Sequence, residues 1–502
     1  MSYDITPLLE KARHLRASLP FLCDFENCFP NGEVYLVGGA VRDFLLDRNT
    51  KDVDFLIRNV SASELHPFLN QRGKANFVGK NFGVYKFIPA GKTDEIDVAL
   101  PRTERSFSYQ GGYRDFEIVT NPNLSVDEDL KRRDFTINAI ALDMRKLCLI
   151  DPFDGLKDLS SGVLKAVGDP AIRFSEDHSR LLRGLRFICQ LNFQFDPGTK
   201  QALFEKMSTI NSKREDGAYV VPRETIAKEF LKALCCNPVR MFDLWDESGA
   251  FAQLIPELLR MHGCPQPPQF HSEGDVWEHT RLALSQLTSP QFCEEFQPPF
   301  DAEVALSVLL HDVGKPMTIQ TPEKDGIDRI RFDNHDHVGA AMAREIIKRL
   351  KLSSLPKSGP YAIYEDAVSW LIEKHLILVC GDVDKMRAAT IEKYFLDPKV
   401  PGQNLMRLIF CDGNAAIPAL DQTPKIRHYH QLKIRLEKMN QLRKGAADVI
   451  VPFLSGQEIM SLLNITTGPK VGKYLALLRE EQLSERVINR EEAIAFLKGS
   501  SN

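Results

Sequence analysis

Short apolar runs punctuate the chain from residue 33 to about 160. Val34–Val37, VDFLI at 53–57, VYKFI at 84–88 and EIDVAL at 95–100 predict short strands divided by turns. Ahead of them, residues 5–28 predict one short amphipathic helix. Beyond about residue 170 the apolar spacing becomes helical, as in FSEDHSRLLRGLRFICQL, ETIAKEFLKAL, AVSWLIEKHLILV and REEAIAFLK. Pro-rich breaks fall at 263–268, 297–300 and 397–402. We see no internal repeat and no low-complexity tract. The pattern predicts an α+β fold: a small head with a mixed β-sheet, then a long, mostly α-helical neck, body and tail. These segments are expected at 1–160, 161–262, 263–420 and 421–502.

Composition narrows the class. A chain of 502 residues is long enough for about three to four domains. With 43% hydrophobic and 26% charged residues it is neither collagen-like, disordered nor a coiled coil. No run approaches the roughly 18 apolar residues of a membrane helix, and no membrane association is expected. The N-terminal MSYDITPLLEKARHLR lacks an apolar core, so no secretory signal is expected. The 10 Cys form no CxxC pair, which speaks against a zinc ribbon and for a reducing cytoplasm. A net charge of −4 excludes a uniformly basic coat but leaves room for a local basic surface.

Residues 34–57 read VYLVGGAVRDFLLDRNTKDVDFLI. A strand runs into Gly38-Gly39 and a helix starts near Ala40. Glycines there let backbone N–H groups approach an anion at a helix N-terminus, and Arg42 follows one turn in to clamp a phosphate. Asp52 and Asp54, two apart on a strand, share a face. Two like charges that close need a cation, and hard oxygen ligands suit Mg²⁺. Metal ions so held can activate an attacking hydroxyl and stabilise a leaving pyrophosphate. Asp97, in the later strand, is the natural third carboxylate.

These residues resemble the class II tRNA nucleotidyltransferase (CCA-adding enzyme) and bacterial poly(A) polymerase family. The resemblance runs through EIDVALPRTER (95–105), EDLKRRDFTINAIALD (128–143), DPFDGLKDL (151–159) and EDHSRLLRGLRF (176–187), and covers most of 30–260. It implies a nucleotidyltransferase head and a neck that binds nucleobase and RNA. It also implies a role for Arg133, Asp134 and Asn138 of RRDFTINA in holding the nucleotide sugar and triphosphate. Asp134 and Asn138 are expected one helical turn apart on one face. RTER (102–105) and SFSYQGGYRDF resemble the family's mobile loop, to which the family assigns the switch from CTP to ATP.

Asp177 and Arg180 are expected as an i, i+3 pair on one helix face. An acceptor beside a donor matches the amino group and ring nitrogen shared by cytosine and adenine and rejects uracil and guanine, at roughly 1–3 kcal/mol per good contact. The resemblance makes this pair the protein template for CTP and ATP, with Glu176 and Arg183 in support.

The body carries His279, then His311-Asp312, His335, His375 and Asp412. Imidazole and carboxylate ligands suit Mg²⁺, Mn²⁺, Ni²⁺, Zn²⁺ or Fe. The order resembles the HD-domain phosphohydrolases. That resemblance puts one metal on His279, His311, Asp312 and Asp412, and a second on His335 and His375. His335 is preferred to His337 because the residues after it match the family spacing, and Lys315 is placed to meet a phosphate. Some family members with such a domain hydrolyse 2′,3′-cyclic phosphates and phosphomonoesters.

Residues 424–445 hold seven Lys/Arg against one Glu, a basic stripe on a helix that suits an RNA backbone. Lys425, Arg427, Lys433 and Arg435, with Lys470 in the later ITTGPKVGKYL, are the candidate RNA contacts. The sequence reading is thus a template-independent enzyme that adds CCA, from CTP and ATP, to the tRNA 3′ end, with a secondary HD activity. Poly(A) polymerase, or CC-only or A-only addition, is the nearest alternative. The basic run that family poly(A) polymerases carry after the DxD strand is replaced here by KNFGVYKFIPAGKTDEI (80–96). An HD phosphohydrolase with an RNA-binding head is the alternative of another class.

Overall fold

Leu19 stands before Pro20, and a residue before proline is steered out of the α region. The N-terminal stretch therefore forms two helices where the sequence pattern predicted one: α1 (Thr6–Ser18) and α2 (Pro20–Cys28), broken at Leu19 with φ −125° and ψ 80°. The computed structural model describes residues 4–50, 52–78, 83–106, 111, 116–378, 383–420, 426–443, 452–484 and 486–500. They form two compact units, Met1–Leu254 and Ile255–Asn502.

The first unit continues with β1 (Glu33–Val37), α3 (Gly39–Leu45), β2 (Asp54–Arg58), α4 (Ala62–Asn70), β3 (Gly73–Val78), β4 (Val84–Pro89) and β5 (Ile96–Ala99). A side ribbon of β6 (Arg102–Ser106) and β7 (Phe116–Thr120) follows, then α5 (Val126–Lys131), β8 (Ala141–Asp143) and β9 (Leu149–Ile150). Seven of these strands make one mixed sheet, ordered β3-β4-β5-β2-β1-β8-β9. Only β2 and β5 pair in parallel within it. The four strands anticipated from the sequence are present within a residue or two; β3, whose residues are mostly exposed, carried too weak an apolar pattern.

Both sheet faces are covered. Phe21 of α2 meets the rings of Phe55 and Phe87 edge-on, with centroids 6.0 and 5.2 Å away. On the other face Tyr35, Val37 and Leu56 pack with Val126 and Leu130 of α5. Register puts Asp54 opposite Val37 on one side and Asp97 on the other, so all three point to that second face.

The unit ends in helices: α6 (Gly155–Ser160), α7 (Pro170–Glu176), α8 (Ser179–Leu191), α9 (Pro197–Lys206), α10 (Arg223–Cys236), α11 (Pro238–Glu247) and α12 (Ala250–Leu254), with a small parallel pair β10 (Val163–Leu164) and β11 (Gln194–Phe195). Asp169 caps α7 by accepting from Ala171 N and Ile172 N at 2.8 and 3.1 Å.

The second unit is helical: α13 (Pro256–Leu259), α14 (Val276–Gln286), α15 (Pro290–Glu295), α16 (Ala302–Leu310), α17 (Lys315–Thr318), α18 (Pro322–Asp325), α19 (His335–Arg349), α20 (Glu365–Lys374), α21 (Ala388–Ile391) and α22 (Gly402–Ala415). Then come α23 (Arg427–Arg443), α24 (Gly456–Leu463), α25 (Pro469–Leu483) and α26 (Arg490–Gly499). Every residue of α16 is buried, and α14, α20 and α22 surround it, as expected for a helix whose only polar residues are Glu303 and Ser307. Truncating Leu306 or Leu309 to Ala there would cost about 2–5 kcal/mol. The C-terminal helices close over their own small core of Leu454, Ile459, Leu478, Val487, Ala493 and Leu497.

Candidate functional site

A cleft of about 600 Å³ opens in the first unit, and every sequence-predicted head residue except Asp97 lines it. Asp97 stands beside Asp54 in register, with Lys86 Nζ 2.6 Å from its Oδ1. The strand begins at Asp54, so Asp52 sits on its lead-in, where Asp52 N donates to Thr50 Oγ1 at 3.1 Å. Gly38 turns the chain from β1 into α3 at φ +72°, a left-handed conformation that favours glycine. A Cβ there would lie 2.7 Å from Arg133 Nη1 and 3.6 Å from Asp54 Oδ2. Burial, then the charges of Asp52 and Asp97, push the Asp54 carboxyl up to about 6, so a cation between these groups would relieve real repulsion.

Residues 134–138 do not continue a helix, contrary to expectation: α5 stops at Lys131, and Thr136–Asn138 form a 3₁₀ turn. Asp134 and Asn138 still meet, as Asn138 Nδ2 donates to Asp134 Oδ1 at 3.0 Å. From them a polar chain extends both ways. Arg42 Nη1 donates to Asn138 Oδ1 at 2.7 Å, while Arg183 Nε and Nη2 reach Asp134 Oδ2 at 2.9 and 2.7 Å. Burial alone would raise the Asp134 pKa, but Arg183 and the Asn138 amide hold it well below the usual carboxylate range. Arg42, Arg183 and Arg186 all lie over the Phe187 ring, at 5.1, 5.5 and 4.1 Å.

Asp177 and Arg180 both line the cleft, but they do not form the expected pair on one helix. Asp177 lies in extended backbone between α7 and α8, and its Oδ1 accepts from Ser179 N at 2.9 Å. Arg180 Nη1 is 2.8 Å from Glu176 Oε2 and 3.1 Å from the Arg173 carbonyl, while Nη2 donates to the Arg132 carbonyl at 3.0 Å. Each group is thus held by its own scaffold. The cleft also gathers Arg102, from the RTER run that the sequence reading placed in the mobile loop, and Arg132, Arg186, Gln190, Lys228 and Lys232, to which it gave no role. Spacing of three and four residues along α8, from Arg180 through Arg183, Arg186 and Phe187 to Gln190, is the signal that could have found part of this set. Nine cationic side chains against six carboxylates make the cleft basic, more so than the composition of the head suggested.

In the second unit α14, α16, α19, α20 and α22 bring six predicted residues together. Asp312 is central. His311 Nε2 lies 3.3 Å and His279 Nε2 3.7 Å from its Oδ2, and Asp412 Oδ1 is 3.0 Å from His279 Nε2. On the other oxygen, His335 Nε2 and His375 Nε2 lie 3.4 and 3.9 Å from Oδ1. His337 is exposed and outside this cluster. The Nδ1–H of His311, His335 and His375 donates to the carbonyls of Val308, Phe332 and Ile372 at 2.8, 2.7 and 2.6 Å. His279 Nδ1 donates to Glu273 Oε1 at 2.8 Å. All four rings therefore turn Nε2 inward, the second-layer arrangement that orients histidine toward a metal. Burial, then His335 and His311, push His375 down to about 4, which keeps it neutral and able to ligate.

The donor set fits divalent cations. Both Asp312 oxygens and His335 Nε2 are buried without a hydrogen-bond partner, and two groups of donors share Asp312. Lys315 Nζ is 2.6 Å from Asp312 Oδ2, an ion pair without hydrogen-bond alignment, and donates to Gln266 Oε1 at 2.8 Å. Glu273, missed in the sequence, holds His271 Nδ1 (2.7 Å) as well as His279 and accepts from Ile417 N at 3.0 Å. Gly314 lets the HD loop touch α19: a Cβ there would lie 2.2 Å from the His335 carbonyl oxygen. A cavity of about 880 Å³ adjoins the cluster.

The basic stripe of α23 is partly spent on its own unit. Lys433 pairs with Glu295 at 2.5 Å, Arg435 donates to the Val383 carbonyl, and Arg427 lines the cavity beside Asp312. Lys470 is exposed, and Lys425 lies outside the described residues.

The Poly A polymerase head domain family matches residues 34–165, and the HD domain family matches 276–393. An A-adding tRNA nucleotidyltransferase of Deinococcus radiodurans is 30% identical over 94% of this chain and 96% of its own length. A multifunctional CCA protein of Nitrosococcus oceani is 37% identical over 64% of this chain and 70% of its own. In fold, the chain is similar to the Bacillus stearothermophilus CCA-adding enzyme in complex with CTP (TM-score 0.60, 20% identity, covering 100% and 98% of the two chains). It is likewise similar to the Thermotoga maritima CCA-adding enzyme complexed with tRNA (TM-score 0.61, 19% identity, full coverage of both). Among the described residues no helix is long and apolar enough to cross a membrane. Similarity along nearly the whole chain, over a head that gathers the DxD carboxylates and a basic cleft, places this protein in the tRNA nucleotidyltransferase and poly(A) polymerase family, with an HD domain in its second half.

Proposed function

We propose that the chain adds the nucleotides of the CCA end to tRNA, using CTP and ATP, in the cleft of its first unit. The observation that carries this is one cavity lined both by Asp52 and Asp54 and by Asp177 and Arg180. Asp52 and Asp54 would hold Mg²⁺, which when bound lowers the pKa of the attacking hydroxyl and offsets charge on the leaving pyrophosphate. The Gly38-Gly39 turn and Arg42 cradle the triphosphate, with Arg133 beside them. The Arg42–Asn138–Asp134–Arg183 chain presents fixed polar groups to the ribose. Asp177 accepts from the amino group of cytosine or adenine, and Arg180 donates to the ring nitrogen. The 3′-oxygen of tRNA attacks the α-phosphorus, the bond to the β-phosphate breaks and pyrophosphate leaves; Asp97 stands beside Asp54 to help activate the 3′ end. The thiol state of every described cysteine fits a reducing cytoplasm.

The second unit is read as a phosphoesterase for 2′,3′-cyclic phosphates or phosphomonoesters. His279, His311, Asp312 and Asp412 would hold one divalent ion (Ni, Mn, Zn, Fe or Mg), and His335 and His375 a second across Asp312. Bound there, such an ion supplies a hydroxide at neutral pH. Lys433, Arg435 and Lys470 remain candidate tRNA contacts at the tail.

The test offers tRNA transcripts ending at the discriminator base, at C and at CC, each with labelled CTP, ATP, UTP or GTP. Ordered C, C, A addition that then stops supports full CCA synthesis. A single A added only to the CC-ending transcript supports a second reading, A-addition alone, favoured by the relative that matches along nearly the whole chain. A long A tail would make it a poly(A) polymerase, and no incorporation would refute the reading.

A further inference from the structure

Two lysines of α10, Lys228 and Lys232, stand one helical turn apart and line the same cleft as Asp52. Like charges at this spacing cost a helix stability, so the pair is not there to hold α10 together. Glu229 between them is buried, and its carboxylate is engaged by Arg186 of α8. Arg186 in turn donates Nη1 to Gln190 Oε1 at 2.5 Å. Lys228 is exposed and Lys232 half-buried. Burial, then Lys228 and Arg186, push the Lys232 ammonium below its ordinary range, while the charges of Glu229 and then Asp52 act the other way. A partly desolvated cation among other cations, facing a cavity, is a seat for an anion.

The two carboxylates of the DxD tell which anion. Asp54 faces the glycine turn and Arg133, where the triphosphate is cradled. Asp52 is exposed and lines the same cleft as Lys232. In-line displacement puts the attacking oxygen on the side away from the leaving pyrophosphate. We propose that Lys228 and Lys232 are a phosphate seat for the acceptor strand, gripping the last phosphodiesters of the RNA 3′ end so that its terminal hydroxyl comes in beside Asp52. This assignment rests on the nucleotidyl-transfer reading of the cleft.

The experiment uses the full chain with Lys228→Ala, Lys232→Ala, the double variant and Lys232→Arg. A tRNA transcript ending at the discriminator base is titrated over a salt series without nucleotide, and KM is measured separately for tRNA and for CTP. The double variant is expected to raise KM for tRNA with KM for CTP unchanged. Each lysine removed is expected to flatten the slope of log affinity against log salt by about 0.7, the single-strand value per phosphate neutralised. Lys232→Arg should restore most of the tRNA affinity, and the Tm of the alanine variants should hold or rise as the like-charge repulsion goes. An unchanged salt slope would overturn the proposal, and so would a rise in KM for CTP alone, which would assign the pair to the triphosphate. A wild-type chain that incorporates nothing would refute the transfer reading instead, while the salt slope would still decide whether the lysines seat RNA.

Discussion

Arg180 Nη1 lies 2.8 Å from Glu176 Oε2, the same oxygen that takes Arg173 Nη1 at 2.7 Å. With two backbone carbonyls also accepting from it, the Arg180 guanidinium is fixed before any base arrives. A donor fixed in advance loses little side-chain freedom on binding, so its orientation can discriminate between bases.

The Glu176→Gln variant should therefore lose selectivity more than rate. We expect the ratio of kcat/KM for CTP to that for UTP to fall by about tenfold, ~1.4 kcal/mol of the ~1–3 kcal/mol that a good base contact supplies. A ratio that stays at the wild-type value would show that Glu176 does not position Arg180 for base reading.

Asp54 should set a pH signature. Its folded pKa, raised to about 6 from 3.8, means that the metal-free fold holds the proton on Asp54 up to about pH 6. The charged carboxylate thus costs stability that is fully felt above about pH 6 and fades as pH falls toward 3.8. A cation bound by Asp52 and Asp54 relieves that cost only where Asp54 is ionised. The rise in Tm caused by Mg²⁺ should grow with pH across this window. Asp54→Asn should abolish incorporation, raise the metal-free Tm at neutral pH and remove most of the Mg²⁺ effect. A Mg²⁺ shift independent of pH would count against Asp54 as a ligand.

Glu273 holds the nitrogen of His279 that faces away from Asp312. The Glu273→Gln variant is expected to weaken Mn²⁺ binding to the HD cluster by about 10–100-fold, read by calorimetric titration, with nucleotide incorporation unchanged. Unaltered Mn²⁺ affinity would rule out an orienting role.

Gly314 packs the HD loop onto the first turn of α19, where an added Cβ would meet the His335 carbonyl oxygen at 2.2 Å and Gly339 N at 2.6 Å. Backbone atoms on both sides cannot give as a side-chain tip would. Gly314→Ala should lower the stability of this unit by about 1–3 kcal/mol or more and displace His335 from Asp312. Denaturant unfolding and metal titration check the two effects; wild-type values of both would mean that the loop has room to move.

Much of the head was legible because its signals are local. Strand-length apolar runs at 34–37, 53–57, 84–88 and 95–100 sit within a residue or two of β1, β2, β4 and β5. The Gly38-Gly39 turn and the DxD are read from neighbours along the chain. So is the break at Leu19–Pro20, a rule about adjacent residues that the helical period of 5–28 concealed. By contrast β3 is an edge strand with an exposed face, and such strands carry little apolar alternation.

What the sequence determined by itself was which groups are present and their order: the glycine turn, the carboxylates, the histidines and the periods that make strands and helices. Pairing was decided only in the fold. Arg180 turned to Glu176 and not Asp177 because α7 ends before Asp177 and leaves that residue extended. Asp97 reached Asp54 through parallel strand register, and Asp312 gathered four histidines because a wholly buried α16 is packed on by α14 and α20 while α19 packs on α20. Local periodicity reports which side of an element is apolar. It carries no information about which distant element will cover that side, since that choice is made by packing among segments far apart in the chain.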